Sequence, residues 1–214
     1  MDSRNQSRSW TSIYTDATRL LLPMLRLRVD TSEAWVEAVL ANFDAFLKDH
    51  AANERKASAT AMTMAVQYYD RPPLVGAMVE LAREELEHFK LVFDLLVARG
   101  QTLGQDAPDP YMSGLHRLLR KHDIEEYLID RLIMYGVVEA RACERFTVLA
   151  RALSEPALRD FYRALSRGEA RHHGQFLRLA HRYGRCREVK ARLAAVLDAE
   201  GEIVAGLPVR AVLH

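Results

Sequence analysis

Arg83-Glu84-Glu85-Leu86-Glu87-His88 and Gly168-Glu169-Ala170-Arg171-His172 each contain the pattern Glu-x-x-His, and these two stretches decide how the chain folds. Residues three apart project from one face of a helix, so the two side chains of each pattern can act together. Another glutamate precedes the Glu of each pattern, Glu54 by 31 positions and Glu139 by 30. The same set of side chains therefore occurs twice, once in each half of the chain.

The composition is that of a globular protein of ordinary size. The 214 residues are 49% hydrophobic and 28% charged, with a net charge of +1, and this length suits one domain with a sizeable core. We predict a single domain over residues 1–214, with a core bundle at about 35–184. A peripheral N-terminal arm and C-terminal helices are expected to flank this bundle.

Several features place the chain in the cytoplasm. No apolar run reaches the roughly 18 residues of a membrane span, and the first residues lack the apolar region of a signal peptide. Cys143 and Cys186 form neither a disulfide framework nor a Cys-x-x-Cys metal site, which favours a reducing compartment. We therefore expect a cytoplasmic protein with no membrane association.

Capping and helix-breaking residues predict the helix boundaries. Thr31-Ser32-Glu33 opens a helical stretch, unbroken or with one break, to about Tyr69, and Gln101 to Pro110 is a long crossover between the halves. The remaining predicted helices run from Leu74 to Arg99, Tyr111 to Arg120, Asp123 to Leu153 and Glu155 to Tyr183, with one or two shorter helices over 187–214.

The two patterns and the two single glutamates fall on the apolar stripes of four helices. Alternating steps of four and three residues give Leu47, His50, Glu54, Ala57, Ala61; Met78, Leu81, Glu85, His88, Val92; Leu132, Tyr135, Glu139, Ala142, Phe146; and Leu165, Glu169, His172, Phe176. Ligands in a bundle core must share the stripe of the apolar residues. Glu from two helices and Glu-x-x-His from two others is the ligand set of ferritin-like di-iron and di-manganese bundles. We predict an all-α, ferritin-like four-helix bundle with a long crossover and extra peripheral helices.

Four buried carboxylates require compensating positive charge, because an unpaired buried charge is costly or loses its ionisation. Two divalent ions supply it, and the set of carboxylates and imidazoles without thiolates favours iron or manganese over structural zinc. We predict two iron ions, bridged by oxygen and carboxylate, with the ligands Glu54, Glu85, His88, Glu139, Glu169 and His172.

Residues beside the ligands have predicted supporting roles. Glu84 lies four residues before His88 and can orient that imidazole, whereas its counterpart in the second half is Gly168. His50, one turn before Glu54, is expected to pack or to hydrogen-bond beside it. The small Ala57 and Ala142 leave room in the core, and the acids off the stripes are expected to pair with Arg or Lys: Glu80, Glu87, Asp94 and Glu144.

Two ferrous ions can deliver two electrons to dioxygen, which makes hydroxylation of a C–H bond the expected chemistry, with dioxygen as co-substrate. Restoring the ferrous state requires external electrons. Nothing in the sequence resembles a flavin or nicotinamide fold, so a separate electron-donating reductase is predicted.

The chain resembles the MiaE family of tRNA hydroxylases from about Trp35 to Tyr183. The resemblance depends on residues 49–57, 81–89, 139–146 and 169–173, and Glu139-Ala140-Arg141-Ala142-Cys143-Glu144-Arg145-Phe146 is its most specific part. It implies dioxygen-dependent hydroxylation of the isopentenyl side chain of 2-methylthio-N6-isopentenyladenosine next to the anticodon. It also implies the same six metal ligands.

A basic segment follows the second pattern and offers a candidate surface for tRNA. Residues 178–192 contain a single acidic residue, Glu188, and six basic ones: Arg178, Arg182, Arg185, Arg187, Lys190 and Arg192. Such clusters can hold backbone phosphates. Arg117, Arg120, Lys121 and His122 in the crossover could extend this surface.

Other interpretations remain open at the level of the sequence. The same ligands would serve a di-iron oxidase or peroxidase that acts on a small molecule or peroxide. A non-enzymatic iron-binding or storage protein would share them too, and a metal-free interaction bundle is a further alternative. Storage requires a shell of many subunits, whereas we expect a monomer or a small oligomer.

Overall fold

The computed structural model describes residues 25–214, so most of the predicted N-terminal arm lies outside the described residues. Within this range the chain forms helices and no strand, which confirms the predicted all-α class. The helices are α1 (Glu33–Ala41), α2 (Phe43–Gln67), α3 (Pro72–Ala98), α4 (Pro110–His116), α5 (Ile124–Ala152), α6 (Pro156–Tyr183) and α7 (Cys186–Gly206).

Local chemistry accounts for the helix boundaries. Ser32 caps α1 by accepting a hydrogen bond from Trp35 N, and Asp109 and Asp123 cap α4 and α5 in the same way. Proline occupies the first turn of α3, α4 and α6, where its missing N–H is not needed. The break between α1 and α2 falls at Asn42, whose backbone is not helical.

Two helical hairpins build the bundle. α2 packs along α3 and α5 along α6, while the closest backbone approach between the hairpins is that of α3 to α6. These four helices form the predicted ferritin-like four-helix bundle, and the crossover from α3 to α5 carries α4. Two apolar clusters lie towards opposite ends of the bundle, one around Met64, Met78 and Leu132 and the other around Phe46 and Phe146. The polar stretch of all four stripes lies between them.

The peripheral helices are joined to α5 by a buried ion pair. Arg141 Nε donates to Glu200 Oε1 of α7 at 2.9 Å, and both side chains are inaccessible to solvent. Tyr111 of α4 donates to the same carboxylate oxygen at 3.2 Å. α7 is one continuous helix of 21 residues, longer than the short C-terminal helices that the sequence suggested.

Candidate metal centre

The six predicted ligands meet at mid-length of the bundle, between the two apolar clusters. Each helix contributes from its core face, as the apolar stripes require. All four glutamates and His172 are buried, and His88 has a side chain only 12% exposed.

Four of these residues form a compact group. Glu85, His88, Glu169 and His172 can each offer one ligand atom such that all four atoms lie within 4.8 Å of one another. His88 Nδ1 lies 3.3 Å from Glu85 Oε2 and 3.4 Å from Glu169 Oε1. His172 Nδ1 lies 2.8 Å from Glu85 Oε1 and 3.1 Å from Glu169 Oε2. Both imidazoles therefore direct Nδ1 at the same pair of carboxylates.

The two single glutamates adjoin this group. Glu54 Oε2 is 3.7 Å from His88 Nδ1, and the carboxyl of Glu139 lies beside those of Glu85 and Glu169. The structure thus brings the six candidates together from four helices, as two sets of Glu plus Glu-x-x-His.

Burial and neighbouring carboxylates oppose the ionisation of two of the carboxyl groups, Glu85 and Glu139. Burial, and next the charges of Glu85 and Glu169, raise the pKa of Glu139 well above its ordinary value. Burial and the charges of Glu169 and Glu54 raise the pKa of Glu85 to about 7. The site therefore disfavours a set of ionised carboxylates without cations among them.

The two histidines respond in the opposite direction. Burial alone would lower the pKa of His172, but its close contacts with the carboxylates of Glu169 and Glu85 raise it to about 12. At His88, burial also lowers the pKa, but contacts with Glu169, Glu54 and Glu85 raise it above its ordinary value. Burial raises the pKa of Glu169, yet hydrogen bonds from both histidines hold it below the ordinary range. Positive charge is favoured at the centre of this site.

Two buried carboxylate oxygens are open to a cation. Glu85 Oε1 and Glu169 Oε1 make no hydrogen bond of good geometry within residues 25–214. His172 Nδ1 lies 2.8 Å from the first but makes its hydrogen bond to Glu169 Oε2, and His88 Nδ1 lies 3.4 Å from the second. Buried acceptor oxygens without donors suit a hard or borderline cation, and the ligand types suit iron or manganese. The fold and this Glu/His cluster therefore fit a di-iron site.

Glu54 is held in place by a buried chain of hydrogen bonds. His50 Nε2 lies 2.7 Å from Glu54 Oε1, and His50 Nδ1 lies 3.3 Å from the Tyr162 hydroxyl. Burial lowers the pKa of His50 to about 3, so its ring is neutral. The neutral ring can donate from Nε2 and accept from Tyr162 at Nδ1, which agrees with the supporting role predicted for it.

Glu84 supports a different histidine from the one predicted. Its Oε2 lies 3.0 Å from His172 Nε2 and accepts a hydrogen bond from Arg171 at 3.3 Å. Spacing along α3 pointed to His88, but the side chain of Glu84 reaches across to α6, the neighbouring helix of the other hairpin. Glu84 thereby orients His172 in the way that carboxylates orient metal-binding imidazoles.

Gly168 makes room for His88, a role that the sequence did not reveal. A Cβ at this position would lie 3.0 Å from His88 Cε1 and 3.2 Å from His88 Nε2. The only available signal was a glycine in the middle of a long helix, where it costs stability relative to alanine.

A cavity of about 290 Å³ adjoins the carboxylates on the side where α2 faces α5. Ala57 and Ala142 line it, as predicted, together with apolar side chains that include Met64 and Phe176. Other polar lining residues are Asn53, Lys56, Thr60, Asp109, His116 and His214. Sequence patterns did not indicate that α4 and the last residues of the chain would border this cavity.

The basic segment is largely exposed but lies away from the cavity. None of its six basic residues lines the cavity. Five of them are exposed: Arg178, Arg182, Arg185, Arg187 and Lys190. Arg192 is the exception, because its guanidinium donates to the buried carboxylate of Asp130 at 2.8 Å and to Leu118 O. We therefore remove Arg192 from the candidate tRNA-binding residues.

The acids off the apolar stripes have the expected partners. Arg83 pairs with Glu80 and Glu87, and Lys90 pairs with Asp94. Glu144 pairs with Arg141 at 3.2 Å.

Over residues 25–214, no helix has both the length and the apolar character needed to cross a membrane.

Comparison with known proteins gives consistent matches. The model of one family, tRNA-(MS[2]IO[6]A)-hydroxylase (MiaE), matches residues 20–214. A Pseudomonas putida protein named tRNA 2-(methylsulfanyl)-N(6)-isopentenyladenosine(37) hydroxylase is 40% identical over 174 residues, which cover 81% of this chain and 84% of that protein. A Salmonella typhimurium protein of the same name is 34% identical over 156 residues, or 73% of this chain, and the match spans 56% of its length.

One solved structure is also similar. "Protein 43 with aldehyde deformylating oxygenase activity from Synechococcus" superposes with a TM-score of 0.84 and 36% sequence identity, and the match covers 89% of this chain and 96% of that one. The similarity thus extends over nearly the whole of both chains.

Proposed function

This chain belongs to the MiaE family of tRNA hydroxylases, and from that premise we propose that it hydroxylates the isopentenyl side chain of 2-methylthio-N6-isopentenyladenosine in tRNA, next to the anticodon. The reaction is that of a dioxygen-dependent, di-iron monooxygenase. The observation that carries the proposal is the group of four Glu and His side chains, with Glu54 and Glu139 beside it, next to a cavity that has many apolar lining residues.

Iron, when bound, supplies the electrons that activate dioxygen. Glu85 and Glu169 would hold the metal with carboxylate oxygens, and His88 and His172 would each provide one nitrogen. Glu54 and Glu139 would complete the set. The chain's own contribution is to fix these groups: His50 holds Glu54, Glu84 holds His172, and Gly168 leaves the space that His88 occupies.

The cavity suits the alkyl part of the substrate. An apolar cavity of about 150 Å³ can hold benzene, so 290 Å³ leaves space for a branched five-carbon chain. Ala57, Ala61 and Ala142 line the cavity, and their small side chains leave that space open.

The nucleotide must leave the stacked anticodon loop for its side chain to enter. Enzymes that modify bases take them out of the stack, and exposed Arg and Lys residues hold the backbone. We propose that Lys56 at the cavity border and the exposed residues of the 178–190 segment contact tRNA phosphates. We also propose a cytoplasmic location, which a tRNA substrate supports, and a separate reductase that returns the iron to the ferrous state. The assembly we propose is a monomer or a small oligomer.

A single-turnover experiment tests the whole proposal. The protein is loaded with ferrous iron and exposed to labelled dioxygen together with tRNA that carries the isopentenylated adenosine. We expect mass spectrometry to find one labelled oxygen atom on that nucleoside, and no label with the Glu139→Ala variant. Oxidation of the iron without a change in the nucleoside would contradict the tRNA assignment.

A second candidate is an oxygenase that acts on a small molecule, because the similar solved structure is described as having aldehyde deformylating oxygenase activity. Such an enzyme needs no surface for phosphates. Replacing Arg182, Arg185 and Arg187 by Gln should weaken tRNA turnover and lower the slope of log affinity against log salt. Turnover of an aldehyde by the same variant should not change. Activity on a long-chain aldehyde that exceeds activity on tRNA would favour the second candidate.

A further inference from the structure

Asn53 lies on α2 directly before Glu54, and its side chain forms part of the cavity wall. Its Nδ2 donates to Asp49 O at 2.9 Å and to Asp49 Oδ2 at 3.0 Å. Both partner atoms are acceptors, so the nitrogen of the amide must face them and the oxygen must face away. Asp49 Oδ2 also accepts from Leu213 N at 2.7 Å, which holds the carboxylate itself in place. The amide of Asn53 therefore has one orientation.

The oxygen of this amide is left for a ligand. Asn53 Oδ1 makes no hydrogen bond within residues 25–214, and on this half-buried side chain it is not fully enclosed. Because Nδ2 is turned back to the preceding turn of α2, Oδ1 is the polar atom that Asn53 presents to the cavity. The cavity therefore has a neutral hydrogen-bond acceptor of fixed direction on the residue next to a proposed metal ligand.

The other polar residues of the wall are less suited to this role. The ammonium of Lys56 can only donate, and Asp109 Oδ1 already accepts from a backbone N–H of α4 at 2.9 Å. The ring nitrogens of His214 are fully enclosed. His116 is exposed, and the hydroxyl of Thr60 can rotate. Asn53 is therefore the lining residue whose acceptor is best fixed.

We propose that Asn53 is a specificity-determining residue whose Oδ1 accepts a hydrogen bond from the N6–H of the substrate. This inference depends on the proposed function, because it concerns the purine whose alkyl chain enters the same cavity. The isopentenyl group is attached to N6, so N6–H is the polar group of the purine nearest to the carbon that must reach the metal ligands. A buried N–H without an acceptor is costly. The contact therefore selects an N–H over an oxygen at this position.

The test changes the protein and the substrate together. The substrate is an anticodon stem-loop that carries the modified adenosine, and in its analogue an oxygen replaces the N6–H. Wild type should bind the analogue about 10- to 100-fold more weakly, because two acceptor oxygens then face each other. Asn53→Leu, which is close in shape but has no acceptor, should bind the two stem-loops within about threefold of each other. Equilibrium binding to the iron-loaded protein without oxygen measures both affinities.

Two control variants separate recognition from the structural role of Asn53. Asp49→Ala removes the carboxylate but keeps the backbone oxygen that orients the amide, so it should lower the thermal midpoint and keep the wild-type discrimination between the stem-loops. Thr60→Val removes the other neutral acceptor of the wall and should keep that discrimination too. A structural effect would weaken the binding of both stem-loops by the same factor.

The outcomes distinguish this inference from the function on which it depends. A wild type that neither binds nor hydroxylates the modified stem-loop overturns both. A wild type that hydroxylates it but binds the analogue equally well overturns only the role of Asn53, and this comparison needs no variant. The role of Asn53 is also wrong if Asn53→Leu keeps the wild-type discrimination, or if Thr60→Val removes it.

Discussion

The two hairpins of the bundle carry the same set of proposed metal ligands, but the surrounding residues support them differently. The α2–α3 hairpin contributes Glu54, Glu85 and His88, and the α5–α6 hairpin contributes Glu139, Glu169 and His172. The residue directly before the second glutamate is Glu84 in one hairpin and Gly168 in the other. In the first hairpin the position is occupied by a carboxylate, and in the second it is left without a side chain.

Both residues act on the opposite hairpin. Glu84 accepts from His172, and the space beside Gly168 is filled by His88. The repeat in the sequence therefore does not describe two independent metal half-sites. Each hairpin brings its own ligands, and the other hairpin determines where its histidine lies.

Removal of a ligand tests whether the hairpins are equivalent as metal binders, and it should have the largest effect. We expect Glu85→Ala and Glu169→Ala each to lower activity by well over about 100-fold, more than the loss typical of a residue that only orients a ligand. Metal analysis and single-turnover assays measure this. Glu87→Ala, on the exposed face of α3, is the matched control and should behave as wild type. Survival of activity in one ligand variant alone would show that the hairpins are not equivalent.

Gly168→Ala should have the next largest effect. The added methyl would meet the His88 ring at 3.0 Å, and a displacement of about 1 Å at a catalytic group can cost about 100-fold in rate. Gly174→Ala is the control on the same helix, because its added methyl would meet only the flexible end of Arg178. Iron content and activity should fall for the first variant and not for the second. Equal behaviour of the two variants would mean that the space beside His88 is not needed.

Glu84→Gln should reduce metal affinity or activity by about 10-fold, the lower end of the range for residues that orient metal ligands. The amide oxygen still accepts from His172 but without the negative charge. The loss should be accompanied by altered spectroscopic signals of the metal-bound His172, which can be followed by comparing the variant with Glu87→Gln. If only the signals of His88 changed, the partner of Glu84 would be His88, as the sequence suggested.

Arg171→Ala should have the smallest effect, about threefold or less. Arg171 pairs with Glu84 at 3.3 Å, but its side chain is 64% exposed, and exposed ion pairs contribute little. A titration of iron binding at two salt concentrations measures the difference. An effect as large as that of Glu84→Gln would show that Arg171, and not the carboxylate alone, positions His172.

Much of this site follows from the sequence, because spacing along a helix is local information. The periodicity of each stripe predicted that the six candidate ligands would lie on the core faces of four helices, and prolines and caps predicted the helix ends. The partner of Glu84 did not follow, since the choice between His88 and His172 depends on how α3 and α6 lie against each other. Two other features also depend on how distant parts of the chain lie against each other. They are the pairing of Arg192 with Asp130, 62 residues apart, and the position of His214. Neither is marked by a motif.

The division into hairpins also has a consequence for assembly. The two hairpins share both apolar clusters, and between these clusters the carboxylates of Glu85, Glu139 and Glu169 approach one another. If the chain were divided within the 101–109 crossover, the apolar clusters would favour association of the two polypeptides, and the carboxylates would oppose it until metal is bound. The affinity of one polypeptide for the other should therefore increase when iron is added.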